Sequence, residues 1–307
     1  MAKLDADYLE LIQEIRRSGT YKKSRNGGTK SIFDYKIVHD MREGFPLLSC
    51  KKTHFKSIKS ELNWFMQGRT DLKFLLDRGN KIWVGDFYKK YKYENPNSTL
   101  TKKQYVEAVK SGEIVADGGK IYGHQWGKQL PYIIEQLKTN PNSRRTLLMA
   151  WNYDDLDDML LPPCHIGFKL YAEELTVYER ALSYCDSLGK SPSYCYKLDE
   201  EFLDEHFAPT HRLSLKWWQR SVDVLLGLPF NIASYGLLLT RICKEVNMIP
   251  SKLIGDLSDL HIYSNQVNSD YYMLLNSICD LPLPKLDKDE NLINYKWENK
   301  LSFPLSN

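Results

Sequence analysis

Apolar residues recur three and four apart near the start of the chain, and this spacing predicts a helix over Leu4 to Arg17. Leu9, Ile12 and Ile15 share its apolar face, with Gly19 as a stop. From about Thr53 the same period returns in Phe55, Ile58, Leu62 and Phe65, and that helix ends near Gly68. A further buried helix face is formed by Ile232, Tyr235, Leu239, Ile242 and Val246. Strands show a different period. Ile166, Phe168 and Leu170 alternate with Gly167, Lys169 and Tyr171, and Arg145 to Trp151 and Leu213 to Trp217 also read as strands. Residues 87 to 118 are polar and rich in Lys, Tyr and Asn, and read as a surface excursion. Helices and strands mix without the alternation of a doubly wound fold, so the expected class is α+β. No internal repeat or linker divides residues 1 to 307, which predicts a single domain.

A net charge of +3 spread over 307 residues, with no basic run, argues against nucleic acid or a membrane surface as partner. An anionic small molecule needs only a few placed arginines. The six cysteines form no CxxC pair and have no metal-ligand spacing with histidines, so no metal is expected. The amino terminus opens a helix rather than a leader, and no apolar run reaches about 18 residues. A reducing cytoplasm with free thiols is the expected setting.

Chemistry concentrates in two segments. In Leu161-Pro162-Pro163-Cys164-His165, two prolines fix φ and remove two backbone donors, leaving Cys164 at the rigid mouth of a strand. The adjacent histidine is a neighbour that, if cationic, raises the thiolate fraction. In Gln219-Arg220-Ser221-Val222-Asp223 and the following Pro229-Phe230-Asn231, a cation, a hydroxyl, a carboxylate and a carboxamide fall close together. An Asn side chain donates and accepts, as the O4 and N3–H edge of a pyrimidine requires. Glu61 lies at the border of an apolar helix face beside Trp64 and Phe65, where desolvation raises a carboxyl pKa toward the range useful for proton transfer.

These motifs, with Arg25-Asn26-Gly27-Gly28-Thr29, Ile82-Trp83, Tyr122-Gly123-His124-Gln125-Trp126, Ser143-Arg144-Arg145, Ala150-Trp151-Asn152 and His261-Ile262-Tyr263, resemble the thymidylate synthase family. The resemblance runs in order from about residue 20 to 285. It implies a mixed, bent sheet that forms a homodimer interface, with helices on its other face. It implies a reaction between 2′-deoxyuridylate (dUMP) and 5,10-methylenetetrahydrofolate. Cys164 is then the nucleophile for C6 of the uracil ring, Glu61 the acid/base, and Tyr122 the group that helps remove the C5 proton. His165 and Asn152 belong to the network around the ring. Asn231 pairs with the uracil edge, and Gln219 also belongs to the substrate-binding set; relatives acting on deoxycytidylate carry an acid at the position of Asn231. Arg25, Arg220 and Ser221 hold the phosphate, joined by Arg144 and Arg145 from a second subunit. His261 and Tyr263 contact the ribose, while Trp83 and Asp223 meet the folate.

Four positions depart from that pattern: Val84, Gly127, Lys169 and Gln266 stand where Asp, Arg, Gln and His are usual. Residues 172 to 212 form an insertion relative to compact members. Within it Glu179 to Leu188 reads as helical and Ser191-Pro192-Ser193 as a turn. The last residues, Leu301 to Asn307, lack the Pro-His-Pro segment and apolar tail that close methyl-forming members over the folate. Poor closure admits water to the exocyclic-methylene intermediate. The sequence therefore favours a hydroxymethylase making 5-hydroxymethyl-dUMP, with a synthase making thymidylate as the alternative. The hydroxymethyl branch in turn suits a virus with modified DNA.

Overall fold

The opening helix, α1 (Lys3–Ser18), buries Leu4, Tyr8, Leu11, Ile12 and Ile15. Leu9 is only half-buried, because the stripe runs through Tyr8 and Leu11 instead. Each such side chain stabilises by roughly 1.5–3 kcal/mol. The Gly19 N–H closes the last turn onto the Ile15 carbonyl at 3.0 Å. This computed structural model describes residues 2–24 and 27–304. In chain order there follow β1 (Thr20–Ser24), β2 (Gly27–Asp40), α2 (Phe55–Met66), α3 (Leu72–Asp77), α4 (Val84–Glu94), α5 (Lys102–Ser111), α6 (Tyr122–Thr139) and β3 (Leu147–Met149). Beyond them lie β4 (His165–Glu174), α7 (Val177–Ser187), α8 (Pro192–Cys195), α9 (Glu200–Glu205), β5 (His211–Asp223), α10 (Gly227–Glu245), β6 (Ile249–Tyr263) and α11 (Ser269–Leu275).

The α+β expectation holds. Six strands form one sheet in the order β1-β2-β6-β5-β4-β3, in which only β5 and β6 run parallel. Register shifts fall between His165 and Gly167 on β4 and between Leu213 and Leu215 on β5, and such bulges bend a sheet. Leu213, Leu215, Trp217 and Gln219 alternate inward along β5. They meet α10, whose Ile232, Tyr235, Leu239 and Ile242 are buried as their spacing predicts. Val246 lies just past the end of that helix.

Residues 87 to 118 differ from a polar excursion. They contain most of α4 and all of α5, and Tyr105, Val106 and Val109 are buried in the main core. A capping box fixes the start of α5: the Gln104 N–H donates to Thr101 Oγ1 at 3.3 Å, and the Thr101 N–H donates back to Gln104 Oε1 at 2.9 Å. Residues 177 to 205 carry three helices around a small core of their own, built on Ala181, Cys185, Cys195, Leu203 and Ala208. The expected turn at Ser191-Pro192-Ser193 begins the short α8.

Helix α6 starts under tight constraint. A Cβ on Gly123 would lie 1.9 Å from the Arg69 carbonyl oxygen, so only glycine lets this turn press against the chain leaving α2. Gly123→Ala is expected to lower the urea midpoint, a loss of about 1–3 kcal/mol, and to reduce turnover by displacing the neighbouring Tyr122. An unchanged midpoint together with unchanged turnover would refute that constraint.

Candidate active site

Cys164 hangs between a helix and a strand. Its N–H, the first backbone donor after the two prolines, donates to the Tyr122 hydroxyl oxygen at 2.7 Å. Its carbonyl accepts from the Arg220 N–H at 2.8 Å. The Tyr122 oxygen also receives the His165 N–H at 3.4 Å, which leaves the phenol proton to be given elsewhere. The His165 ring stacks on Tyr122 with centroids 4.2 Å apart, and its Nδ1 shares a 2.9 Å hydrogen bond with the Tyr235 hydroxyl. Burial drives His165 down to about 3. The adjacent imidazole is therefore neutral, and the condition under which it would raise the thiolate fraction is not met. Burial also pushes the Cys164 thiol up; the Arg220 guanidinium pulls it down and Asp86 opposes that pull.

Glu61, on α2, accepts a hydrogen bond from Trp83 Nε1 at 2.6 Å. Burial raises its carboxyl to about 7, and the Trp83 N–H acts in the other direction. Trp83 packs edge-on against Tyr122 at 6.1 Å, so the acid, the indole, the phenol and the imidazole form one contiguous wall. The acid/base expectation for Glu61 thus has its physical setting.

The parallel pairing of β5 with β6 aligns Ser221 with Asp259 and Asp223 with His261, which brings the two polar strand ends together. Gln219 Nε2 donates to Asn231 Oδ1 at 3.0 Å and to the Ser221 carbonyl at 3.1 Å, while Trp217 Nε1 holds Gln219 Oε1 at 3.2 Å. Asn231 is thereby held through its Oδ1. Arg220 clamps the Pro163 and Pro162 carbonyls at 2.9 and 3.1 Å, and its guanidinium lies 5.3 Å over the Trp151 ring. The His261 and Tyr263 rings meet edge-on at 4.9 Å at the end of β6. Asp223 accepts from the Leu225 and Leu226 N–H groups and from Gln266 Nε2, and burial raises its pKa.

Asn152 stands apart from this set in its contacts, donating to Asp155 Oδ2 at 2.7 Å. Asp155 is itself held by Gln125 and Lys120. Arg144 and Arg145 are exposed, and no ion pair engages either among the described residues. Arg25 lies outside the described residues. Asp86, Tyr235 and Gln266 were absent from the sequence-level site. The spacing Trp83-x-x-Asp86 on one helical turn was the available signal for the first. Two cavities, of about 610 Å³ beneath α7 and about 650 Å³ beside α2, contain none of these groups.

A thiol at a rigid strand mouth, a buried acid near neutrality and a carboxamide beside an arginine are groups that nucleophilic and acid/base chemistry on a small anionic molecule can use. The thymidylate synthase family model matches residues 6–301, so the chain belongs to the thymidylate synthase family. It is accordingly a folate-dependent one-carbon transferase acting on dUMP, with 5,10-methylenetetrahydrofolate as co-substrate. Similar proteins include the thymidylate synthase of Aster yellows witches'-broom phytoplasma, 35% identical over 94% of this chain and 92% of that protein. The Mycoplasma genitalium thymidylate synthase is 32% identical over 95% of this chain and 93% of its own length. That of Phytoplasma mali is 36% identical over 85% of this chain and 81% of its own.

These relatives overturn the expected hydroxymethyl product. All are named thymidylate synthase, and none points to a hydroxymethylase or to viral DNA modification. The premise about closure also changes. Phe303 is buried, Lys51 Nζ lies 4.8 Å over its ring, and the Pro304 carbonyl is in contact with Gln266.

Because the Glu61 carboxyl is raised, the folded protein keeps a proton that the unfolded chain releases. Burial of Glu61 therefore costs stability progressively as pH rises from about 4.5 to about 7, and fully above that. Glu61→Gln is expected to abolish activity. The same change should make the protein more stable above pH 7, by up to about 3 kcal/mol, with no gain at pH 4.5. Urea melts across this range measure it; a pH-independent difference would refute the buried-acid assignment.

Proposed function

We propose that the protein is a thymidylate synthase, converting dUMP to thymidylate with release of dihydrofolate. The Cys164 sulfur bonds to C6 of the ring, C5 takes up the one-carbon unit, and loss of the C5 proton followed by release of sulfur restores the ring. Methylenetetrahydrofolate supplies the carbon and, as the ring it came from is oxidised, the hydride that completes the methyl group. Glu61, near neutrality, gives and takes protons during these steps. Tyr122, whose oxygen is already occupied by two backbone N–H groups, directs its own proton toward the C5 side. Asn231, oriented by Gln219, reads the uracil edge. Arg220 and Ser221 receive the phosphate with Arg25, and His261 and Tyr263 face the ribose. His165 acts by position, through Tyr235 and Tyr122. Asn152 donates to Asp155, which Gln125 ties to α6, the helix that carries Tyr122.

The observation that carries this reading is the Glu61–Trp83–Tyr122–Cys164 wall, with the acid raised to about 7. The residues present also fit a reduced folate. Trp83 offers an aromatic wall, and Asp223 is a buried carboxyl held by three N–H donors and suited to a donor-bearing ring. The buried Phe303 supports hydride transfer over attack by water, since closure excludes the competing nucleophile.

The same reading makes the enzyme a homodimer that works in the cytoplasm. On the sheet face turned away from α10, Val38 and Ile254 pair in register, with Trp218, Tyr171 and the Lys216–Asp256 ion pair on the same face. Arg144 and Arg145, which end the loop before β3, are exposed beside this face and reach the partner's phosphate site. Lys169 Nζ steadies that loop by holding the Arg144 carbonyl at 2.7 Å.

Incubation with dUMP and methylenetetrahydrofolate should yield nucleotide of thymidylate mass and an equal amount of dihydrofolate by absorbance. A hydroxymethyl mass without dihydrofolate would reverse the assignment. Cys164→Ser and Arg145→Ala are each expected to inactivate the protein. Mixed and refolded together, they should recover roughly a quarter of the wild-type activity, because half the dimers carry one intact site. No recovery, or a monomer in sedimentation, would remove the shared-arginine dimer.

A further inference from the structure

Gln266 is fully buried, at 0% exposure, in the short turn after β6. It also touches three separate parts of the proposed site. Its Oε1 accepts from the Tyr263 N–H at 3.0 Å. Its Nε2 donates to Asp223 Oδ2 at 2.9 Å and to the Pro304 carbonyl at 3.4 Å. A carboxamide has two donor hydrogens on one nitrogen, so both are committed, one to a carboxylate and one to the terminal segment. The bond to Asp223 is the charge-assisted one and the stronger of the two.

The segment that presents Pro304 is seated by independent contacts. The Glu298 N–H donates to the Ser49 carbonyl and the Lys52 N–H to the Asn299 carbonyl, both at 2.8 Å. The Ser302 N–H donates to Asp270 Oδ2 at 2.7 Å. Phe303 packs beneath Lys51, whose ammonium also bonds the Leu225 carbonyl, two residues beyond Asp223. Segment 298–304 thus reaches Asp223 by two routes, and the Gln266 route is the direct one.

We propose that Gln266 is a positioning residue that couples the seating of segment 298–304 to the orientation of Asp223, so that folate binding and closure reinforce each other. If the segment lifts, the Pro304 acceptor is lost and the amide is free to rotate, which withdraws the donor that orients Asp223 Oδ2. Linkage makes the effect reciprocal: a ligand that needs Asp223 in this orientation holds the segment down. The ligand class, a reduced folate, rests on the proposed function above.

The experiment uses the full chain, tetrahydrofolate as probe and dUMP at saturation. Trypsin cleavage after the exposed Lys300 reports lifting of the segment. In the wild-type protein tetrahydrofolate should slow this cleavage. Gln266→Glu keeps an acceptor for Tyr263 N–H but loses both donors. It should weaken tetrahydrofolate binding about tenfold and remove the protection, while dUMP affinity stays within about threefold. Gln266→Met, which adds no buried charge, guards against misfolding and should give the same loss of protection. Asp223→Asn separates the two ideas. Weakened tetrahydrofolate binding in Asp223→Asn with wild-type binding and protection in both Gln266 variants leaves the folate placement standing and overturns the coupling. Wild-type tetrahydrofolate affinity in Asp223→Asn overturns the folate placement, and the coupling with it.

Discussion

The site depends on the hydrogen bond from the Cys164 N–H to the Tyr122 hydroxyl. Pro162 and Pro163 have no N–H to give, so Cys164 carries the first donor of the segment, and a buried donor left unmet costs about 1–3 kcal/mol. A phenol from α6 meets it, and the helix layer is thereby joined to the sheet at the nucleophile. On the other side the Cys164 carbonyl is taken by the Arg220 N–H, which adds β5 to the junction. Tyr122 is positioned by the packing of Gly123 against the Arg69 carbonyl and by its stack on His165. One side-chain oxygen thus sets where the thiol lies and where its own proton can go.

The electrostatics follow from the same burial. His165 is kept neutral, so it orients the wall without taking protons, while Glu61, raised to about 7, can do both halves of a proton transfer at neutral pH. The thiol is disfavoured as a thiolate by burial and by Asp86, and only Arg220 works the other way. Two ionisable neighbours in sequence, Cys164 and His165, therefore have unrelated tasks. The group poised to titrate near neutral pH, Glu61, lies more than a hundred positions upstream.

Much of this was legible in the residues. The three-and-four spacing of Phe55, Ile58, Leu62 and Phe65 placed Glu61 at the edge of a buried face, from which its raised pKa follows. The alternation after Cys164 gave the strand, and the Gln219-to-Asn231 motif gave a polar cluster that the fold does bring together. What could not be read was what lies opposite a given side chain. Nothing local to His165 reveals that Tyr122, Tyr235 and Phe65 enclose it, and so its charge state could not be read from the residues. Residues 87 to 118 misled in another way: lysines and tyrosines covered an amphipathic pattern that opens at the Thr101–Gln104 cap. The product was misread because the Leu301-to-Pro304 stretch looks nondescript until Lys51 is placed over Phe303.

The positions that depart from the family pattern support the same conclusion from another direction. A Cβ on Gly127 would lie 3.1 Å from the Gly68 Cα, so α6 and the turn after α2 meet backbone to backbone and any side chain there would push them slightly apart. Lys169 has turned from a polar strand position into a brace for the Arg144 carbonyl. Val84 is buried in the first turn of α4, ahead of Asp86, the carboxylate that acts on the thiol. Gln266 binds Asp223 and the terminal segment with one amide group. Each departure has a local contact in the fold. For the two polar ones, Lys169 and Gln266, that contact is a hydrogen bond, which spares a polar group the cost of burial without a partner. The altered positions are therefore built into the fold through their own contacts, and the proposed hydride route asks of them only that water be kept from the transferred carbon.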